Sequence, residues 1–373
     1  MGTCNICGSS SRLISGQLGA CANCIRAGRA KDLILAKHRA LRQRYNKPHP
    51  TPADGELACW ICGRGCRIAA GGIGYCGLRK AVGHSIMDAL GPLVAPGHYY
   101  YDPLPTNCVA NEVCPGATGA GYPKYALSPR GEIGYYNIAV FYASCNMNCL
   151  YCQNWEHHEF LAKGWPTMTV EELASSVNER TTCVCFFGGD PGPNAPHALL
   201  AARSMVERAR RLGLRAFRVC WETNGLWNPA LLKVATELSL ETGGIVKIDL
   251  KAWTPEVYEA LCGVEPRHVE LIRRNVELVA SYFEKRPEVP LLVVSLLLVP
   301  GYVDEVEIEG VARFVAGLNR DIPLVLLGFH PDFQLRDLPR TSWRHVKRAL
   351  EIARSAGLRR VFVGNVFILG DDY

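Results

Sequence analysis

The chain has no run of about 18 apolar residues, so no membrane-spanning helix is expected. Its opening residues, Met1-Gly-Thr-Cys-Asn5, show neither a basic n-region nor an apolar h-region. No secretory signal peptide is expected, and a cytoplasmic location follows as the default. A strong charge of one sign is also missing. The 41 Lys+Arg and 35 Asp+Glu leave a formal charge of +6 over 373 residues, too little to point to nucleic acid. Lysine is scarce, 11 against 30 arginines, a bias compatible with a thermophilic source but seen only in some families. No internal repeat is evident. Cysteine, by contrast, is abundant. There are 17, an odd number, and 13 precede residue 153. Tightly spaced thiols in a chain kept reduced bind metal more often than they form disulfides, so the spacing has to decide.

Four stretches differ in texture. Residues 1–28 carry two Cys-x2-Cys pairs around a Gly/Ser-rich loop and read as a zinc-ribbon-like segment. Residues 29–56 hold the rest of a basic segment that runs from Arg26 to Lys47, with Leu33, Ile34, Leu35 and Leu41 at near-helical spacing. That segment stops at the linker Pro48-His-Pro-Thr-Pro52. Residues 57–133 are rich in cysteine and glycine. From 134 to 373, apolar runs alternate with amphipathic stretches. Strands are predicted at 138–142, 183–187, 216–221, 245–250, 291–299, 324–327 and 360–363. Helices are predicted at 170–180, 195–212, 229–240, 268–283, 306–318 and 343–356. Such alternation implies βα units on a parallel sheet. Six or seven units fit a partial (β/α)6 TIM-like barrel better than a full eight, with the ligand site at the C-terminal strand ends.

The segment Cys145-Asn-Met-Asn-Cys149-Leu-Tyr-Cys152-Gln-Asn154 sets three thiols in a C-x3-C-x2-C array directly after the first predicted barrel strand. One loop with these spacings can wrap a cubane. Thiolates hold [4Fe–4S] clusters, normally with four cysteines, yet no fourth lies close behind. Three ligands leave one iron open, as catalytic metal sites keep an open position. Asn146 and Asn148 keep the loop polar, and Tyr151 is placed to shield a cluster. The competing reading is a zinc site or three unrelated thiols.

This motif resembles the signature of the radical S-adenosylmethionine (SAM) superfamily, C-x3-C-x-aromatic-C, and looks closest to its pyruvate formate-lyase-activating-enzyme-like branch. The likeness covers residues 57–366. Cys152-Gln-Asn154 matches an ending common in that branch, and Gly188-Gly189-Asp190-Pro191 looks like its Gly-Gly-Glu-Pro motif with Asp for Glu. Thr223-Asn224-Gly225, Lys247-Ile-Asp249-Leu-Lys251, Val299-Pro-Gly301 and Phe329-His330-Pro331 follow at later strand ends. The resemblance implies a radical SAM barrel with a [4Fe–4S] cluster on Cys145, Cys149 and Cys152. It also implies SAM as cofactor and an electron donor of the flavodoxin or ferredoxin type. Gly188, Gly189, Asp190, Asn224, Asp249, Lys251 and His330 are then candidates for SAM binding. The glycines would let backbone approach the ligand. Asp249 and Lys251 suit the ribose hydroxyls and carboxylate of SAM, or form a buried structural pair. Asp190 is one carbon shorter than the usual Glu, which puts its own role in question.

Two cysteine blocks precede the barrel. Cys4-x2-Cys7-x13-Cys21-x2-Cys24 has knuckle spacing, for which structural zinc is expected. A block of about 28 residues has too small a core of its own, so metal would supply its folding energy. Cys59-x2-Cys62-x3-Cys66-x9-Cys76 resembles the N-terminal segment of the same branch, as in the member associated with the AmmeMemoRadiSam gene cluster. The spacing suits either zinc or an auxiliary [4Fe–4S] cluster. Cys108 and Cys114 complete a further site or present a thiol to substrate, whereas Cys183, Cys185, Cys220 and Cys262 read as buried core thiols.

The leading expectation is thus a SAM-cleaving radical enzyme that abstracts hydrogen from a substrate. That substrate is a protein, as for glycyl-radical activases, or a molecule to be modified. The alternative is a zinc-dependent RNA- or protein-binding protein on an inactive barrel, using the ribbon and the basic helix. For that helix a solvated face is the blander explanation.

Overall fold

A computed structural model describes residues 1–371 and 373. The chain opens with a hairpin of β1 (Gly2–Thr3) and β2 (Ser10–Ser11), then helices α1 (Ala22–Arg26) and α2 (Lys31–Gln43). Two more hairpins follow: β3 (Leu57–Ala58) with β4 (Arg67–Ile68), and β5 (Arg79–Val82) with β6 (Ser85–Asp88). Strand β7 (Val94–Pro103) and the short helix α3 (Pro115–Thr118) lead into the repeating part. That part begins with β8 (Tyr136–Tyr142), α4 (His157–Lys163), β9 (Thr167–Thr169), α5 (Val170–Ser175), β10 (Thr181–Gly188) and α6 (Ala195–Arg211). It continues with β11 (Arg218–Thr223), α7 (Pro229–Thr242), β12 (Val246–Asp249), α8 (Pro255–Cys262), α9 (Pro266–Ala280) and β13 (Leu292–Leu298). Helix α10 (Glu305–Leu318), β14 (Leu324–Gly328), α11 (Trp343–Ser355) and β15 (Val361–Gly364) close the series.

Nine strands make one open sheet in the order β15-β14-β13-β12-β11-β10-β8-β7-β9. The seven from β8 to β15, excluding β9, are mutually parallel, which makes the partial barrel the sequence implied. Strand β7 pairs antiparallel with β8 and β9 with β7, so the sheet extends across position 133/134 into the cysteine-rich stretch. No strand was predicted at 94–103, because Pro96, Gly97 and Pro103 break its propensity. As the strand next to the sheet edge it tolerates them.

Period-2 alternation sorts the side chains. On β10, Val184 and Phe186 join the main core under the helices, while Cys183, Cys185 and Phe187 face the inside of the barrel. Helix α5 starts as expected at a capping box, with Thr169 Oγ1 accepting from Glu172 N at 3.0 Å. It ends at Ser175 rather than 180, because Asn178 Oδ1 accepts from Arg180 N at 2.9 Å and turns the chain. The floor of the barrel is a fully buried ion pair. Arg218 donates to both oxygens of Glu132, at 2.8 and 2.7 Å, and Thr182 Oγ1 donates to the same carboxylate at 2.5 Å. The Pro48–Pro52 run is tied down at both ends: Arg42 Nε donates to Pro48 O, and Pro52 O accepts from Arg67 N.

Candidate active site at the strand ends

The loop after β8 carries the three central cysteines and is clamped from several sides. Ala143 N donates to Pro96 O, and Asn148 N and Leu150 N donate to the last carbonyls of α8, Cys262 O and Leu261 O, each at 2.9 Å. Asn146 Nδ2 reaches Leu226 O at 2.6 Å, and Asn148 Nδ2 reaches His38 Nδ1 of α2 at 2.9 Å. The loop asparagines therefore serve to fix the loop. So held, Cys145, Cys149 and Cys152 all border one cavity of about 240 Å³ at the C-terminal ends of the strands. Burial pushes the Cys145 thiol well up and Cys152 to about 12, so both stay protonated until a metal compensates the thiolate charge.

Gly188 and Gly189 lie at the next strand end. A Cβ at Gly189 would overlap the Ser144 carbonyl, and one at Gly188, whose φ is 104°, would strike Tyr142 N. Gly189 N donates to Tyr142 O at 2.6 Å and Asp190 N to Ser144 O at 2.8 Å. The glycines are thus required by close approach to the cysteine loop. Asp190 is fully engaged. Its carboxylate accepts from Gly192 N (2.7 Å), Asn224 N (2.8 Å) and Thr223 Oγ1 (2.9 Å). Burial pushes its pKa up to about 6, although these donors favour the charged form. Its role here is to hold the Thr223–Gly225 turn. That turn aims Asn224 Nδ2 at Asn146 Oδ1 (2.9 Å) and Cys145 Sγ (3.7 Å).

Opposite stands a polar chain. Glu222 on β11 pairs in register with Lys247 on β12, and Asp249 lies two residues on, on the same face. Lys247 Nζ contacts Glu222 at 3.3 Å and Asp249 at 2.9 Å, Lys251 Nζ contacts Asp249 at 3.1 Å, and Ser295 Oγ donates to Asp249. Burial opposes ionisation of Asp249, but Lys247, Lys251 and Ser295 outweigh it and hold the carboxyl well below its usual range.

Six of the seven residues expected at SAM border this cavity: Gly188, Gly189, Asp190, Asn224, Asp249 and Lys251. His330 does not join them. Buried Phe329 takes the inward position against Tyr151, which leaves His330 exposed on the other side. Glu222, Lys247 and His157 also line the cavity and were not singled out. For Glu222 and Lys247 the period-2 pattern with Asn224 and Asp249 was the available signal. Cys262, expected to be a core thiol, is buried but accepts or donates at Tyr151 Oη (3.3 Å) and hydrogen-bonds Cys149.

Behind the loop lie buried cations without carboxylate partners. Arg42 sits over the Tyr75 ring and donates to Tyr75 O, and Lys47 Nζ contacts His158 Nδ1 at 3.0 Å. Both are in electrostatic range of Cys145 and Cys76. Unpaired buried cations are costly, and anionic thiolate–metal groups on either side offset that cost. The three thiols, the cavity before them and the cations behind them fit a [4Fe–4S] cluster.

The two upstream blocks differ in geometry. The Cys4, Cys7, Cys21 and Cys24 sulfurs all lie within 4.8 Å of one another, and among the described residues theirs is the one group so gathered. That spacing suits a single tetrahedral ion. The segment docks on the barrel. Tyr302 Oη donates to Ala20 O at 2.9 Å, Asp337 accepts from Ser15 Oγ and Gly16 N, and Arg26 pairs with Asp304 at 2.6 Å. Cys59, Cys62, Cys66 and Cys76 are buried, and Cys76 O accepts from Ser144 Oγ at 3.2 Å, directly behind the central loop. Among the described residues no helix is long and apolar enough to cross a membrane.

Residues 139–315 match the family model of the Radical SAM superfamily. The chain is 26% identical over 317 residues to an uncharacterized protein of Methanocaldococcus jannaschii, across 84% of this chain and 82% of that one. It is 27% identical over 198 residues to the pyruvate formate-lyase 1-activating enzyme of Escherichia coli, across 51% of this chain and 73% of that one. A solved domain of pyruvate-formate lyase-activating enzyme from Bacteroides vulgatus aligns with 45% of this chain and 94% of its own at 22% identity, with a TM-score of 0.35.

Proposed function

Because residues 139–315 constitute a radical SAM domain, we propose that this protein reductively cleaves SAM and uses the resulting radical to take hydrogen from a substrate. The observation that supports this most is the meeting of Cys145, Cys149 and Cys152 with the β10, β11 and β12 ends around one cavity. Cys145, Cys149 and Cys152 would hold a [4Fe–4S] cluster there, and that group would supply the one-electron reduction by which SAM is cleaved to methionine and a 5′-deoxyadenosyl radical. The chain's own residues do the rest. Cys145, Cys149 and Cys152 hold the cluster, and Asn224 donates toward the Cys145 sulfur. Gly188 and Gly189 bring backbone close to the loop, where Gly188 O accepts from Asn154 Nδ2 at 3.2 Å and keeps a second lone pair for the SAM ammonium. Asp249, kept ionised by Lys247 and Lys251, is the acceptor for ribose hydroxyls, and Lys251 is the partner for the SAM carboxylate. Tyr151 and Phe329 close one side against water. Reducing equivalents come from a one-electron donor of the flavodoxin or ferredoxin type.

In this reading the four N-terminal thiols hold structural zinc, and the Cys59–Cys76 block holds metal in a closed site. Binding is tested by electron paramagnetic resonance on anaerobically reconstituted, dithionite-reduced protein. Adding SAM should change the signal of the cluster. A signal indifferent to saturating SAM would overturn the open-iron assignment.

A further inference from the structure

Below the SAM cavity the barrel holds a second chamber of about 150 Å³, and five cysteines line it. Cys183 and Cys185 come from β10, Cys220 from β11, and Cys108 and Cys114 from the segment that precedes β8. The convergence is built into the fold. Cys185 and Cys220 are register neighbours on adjacent strands, and Cys183 shares the inward face of β10 with Cys185. The 108–125 segment folds back into the barrel, where Val113 and Tyr125 pack against Ile245, Val289 and Val293 and bring Cys108 and Cys114 over the strand thiols.

These are not ordinary core thiols. Cys108, Cys114, Cys185 and Cys220 are only half-buried, and they face an open chamber that also holds Asp102, Asn107 and Glu222. The fifth thiol differs: Cys183 is buried and donates to Asn137 Oδ1 at 3.4 Å. All five are free thiols. Four half-buried thiols around one space are a donor set for a thiophilic centre. The sulfurs do not gather within 4.8 Å as the N-terminal four do. A single tetrahedral zinc holds its sulfurs roughly 3.8 Å apart, from Zn–S bonds near 2.3 Å. A polynuclear cluster holds its ligands farther apart. Charged groups of both signs surround the chamber: Asp102 and Glu222 line it, Arg218 is paired with Glu132 at the floor, and Lys247 is paired with Glu222. Arg286, held by the carbonyls of Ser239 and Gly244 rather than by a carboxylate and within electrostatic range of Cys220, is the cation left to offset thiolate charge there.

We propose that this chamber is an additional iron–sulfur site, ligated by Cys108, Cys114, Cys185 and Cys220. Phe187 and Glu222 border both chambers, so this centre adjoins the SAM cavity through them. On loading, Cys108 gives up its S–H contact to Glu222 (3.4 Å), and Glu222 keeps its pair with Lys247.

The test compares anaerobically reconstituted full-length protein with its Cys108→Ser/Cys220→Ser variant. The variant should lose about two or four iron atoms and as many sulfides per chain, according to cluster type. Equal iron and sulfide in both proteins would overturn the proposal, as would zinc in place of iron at these thiols. The wild type provides a second measurement that does not depend on the variant's folding. Peptide mass mapping after iodoacetamide treatment should show Cys108, Cys114, Cys185 and Cys220 alkylated in the apo-protein and protected after reconstitution. Equal alkylation in both states would contradict the assignment. Neither readout depends on SAM cleavage, so failure here and failure of the proposed activity are distinguishable.

Discussion

Asp190→Asn is the perturbation whose cost can be worked most closely from the structure. One carboxylate oxygen accepts from Gly192 N and the other from Asn224 N, with the Thr223 hydroxyl touching both. Asparagine offers one oxygen and one NH2 group in the same space. Whichever way the amide turns, one of the two backbone N–H groups faces a donor. The lost charge-assisted bond is worth about 1.5–3 kcal/mol and the stranded buried donor about 1–3 kcal/mol, so a total of about 2.5–6 kcal/mol is expected. That cost falls on the Thr223–Gly225 turn, because Asp190 itself stays anchored through its own N–H to Ser144 O. Hydrogen exchange by mass spectrometry reads it directly. A peptide spanning residues 222–228 should lose roughly 100-fold or more of its protection, since each 1.4 kcal/mol is tenfold, while a β13 peptide is unchanged. Wild-type protection of the turn in Asp190→Asn would refute the view that Asp190 is a positioning residue for Asn224.

Other consequences follow from the same structure. Glu132→Gln, which leaves Arg218 buried and uncompensated, should cost about 3–5 kcal/mol, read from the denaturant midpoint. Burial works against the Glu132 charge, but Arg218 outweighs it and lowers the pKa. The pair's stabilisation should therefore be complete above the ordinary glutamate range and fade as pH falls through the depressed value, a loss absent from Glu132→Gln. Arg42→Met removes a buried cation behind the cysteine loop and should make the cluster harder to reduce, a shift to more negative potential in a redox titration. Gly189→Ala drives a methyl into the Ser144 carbonyl, so reconstituted protein should hold less iron than wild type. Cys7→Ser should lower zinc by about one ion per chain and open residues 1–28 to protease without touching the central cluster.

How much of this was legible in the sequence depends on how local the signal is. The βα alternation, the three-cysteine loop and the Gly-Gly turn are written in contiguous residues, the first legible from periodicity, the second from thiol spacing and the third from the family resemblance. Strand β7 was hidden by Pro96 and Pro103, which only a position beside the sheet edge tolerates. Helix α8 was missed beside the longer amphipathic pattern of α9. The site residues found were those in motifs. Glu222 and Lys247 lay one strand-step from recognised residues and needed only the face assignment. Arg42 and Lys47 looked like part of a solvated basic helix, and nothing local tells a buried arginine from an exposed one. The thiol chamber was least readable. Cys108 and Cys220 are 112 positions apart and meet only through sheet register and the fold-back of the 108–125 segment. His330 shows the opposite error, a motif residue at the right strand end whose side chain alternation turned outward.

The most direct measurement of the central claim is release of 5′-deoxyadenosine. Anaerobically reconstituted protein given dithionite and SAM should form 5′-deoxyadenosine and methionine in equal amounts, and Cys149→Ala should form none. Product from Cys149→Ala at the wild-type rate, or none from wild-type protein with a fully loaded, reducible cluster, would contradict the account.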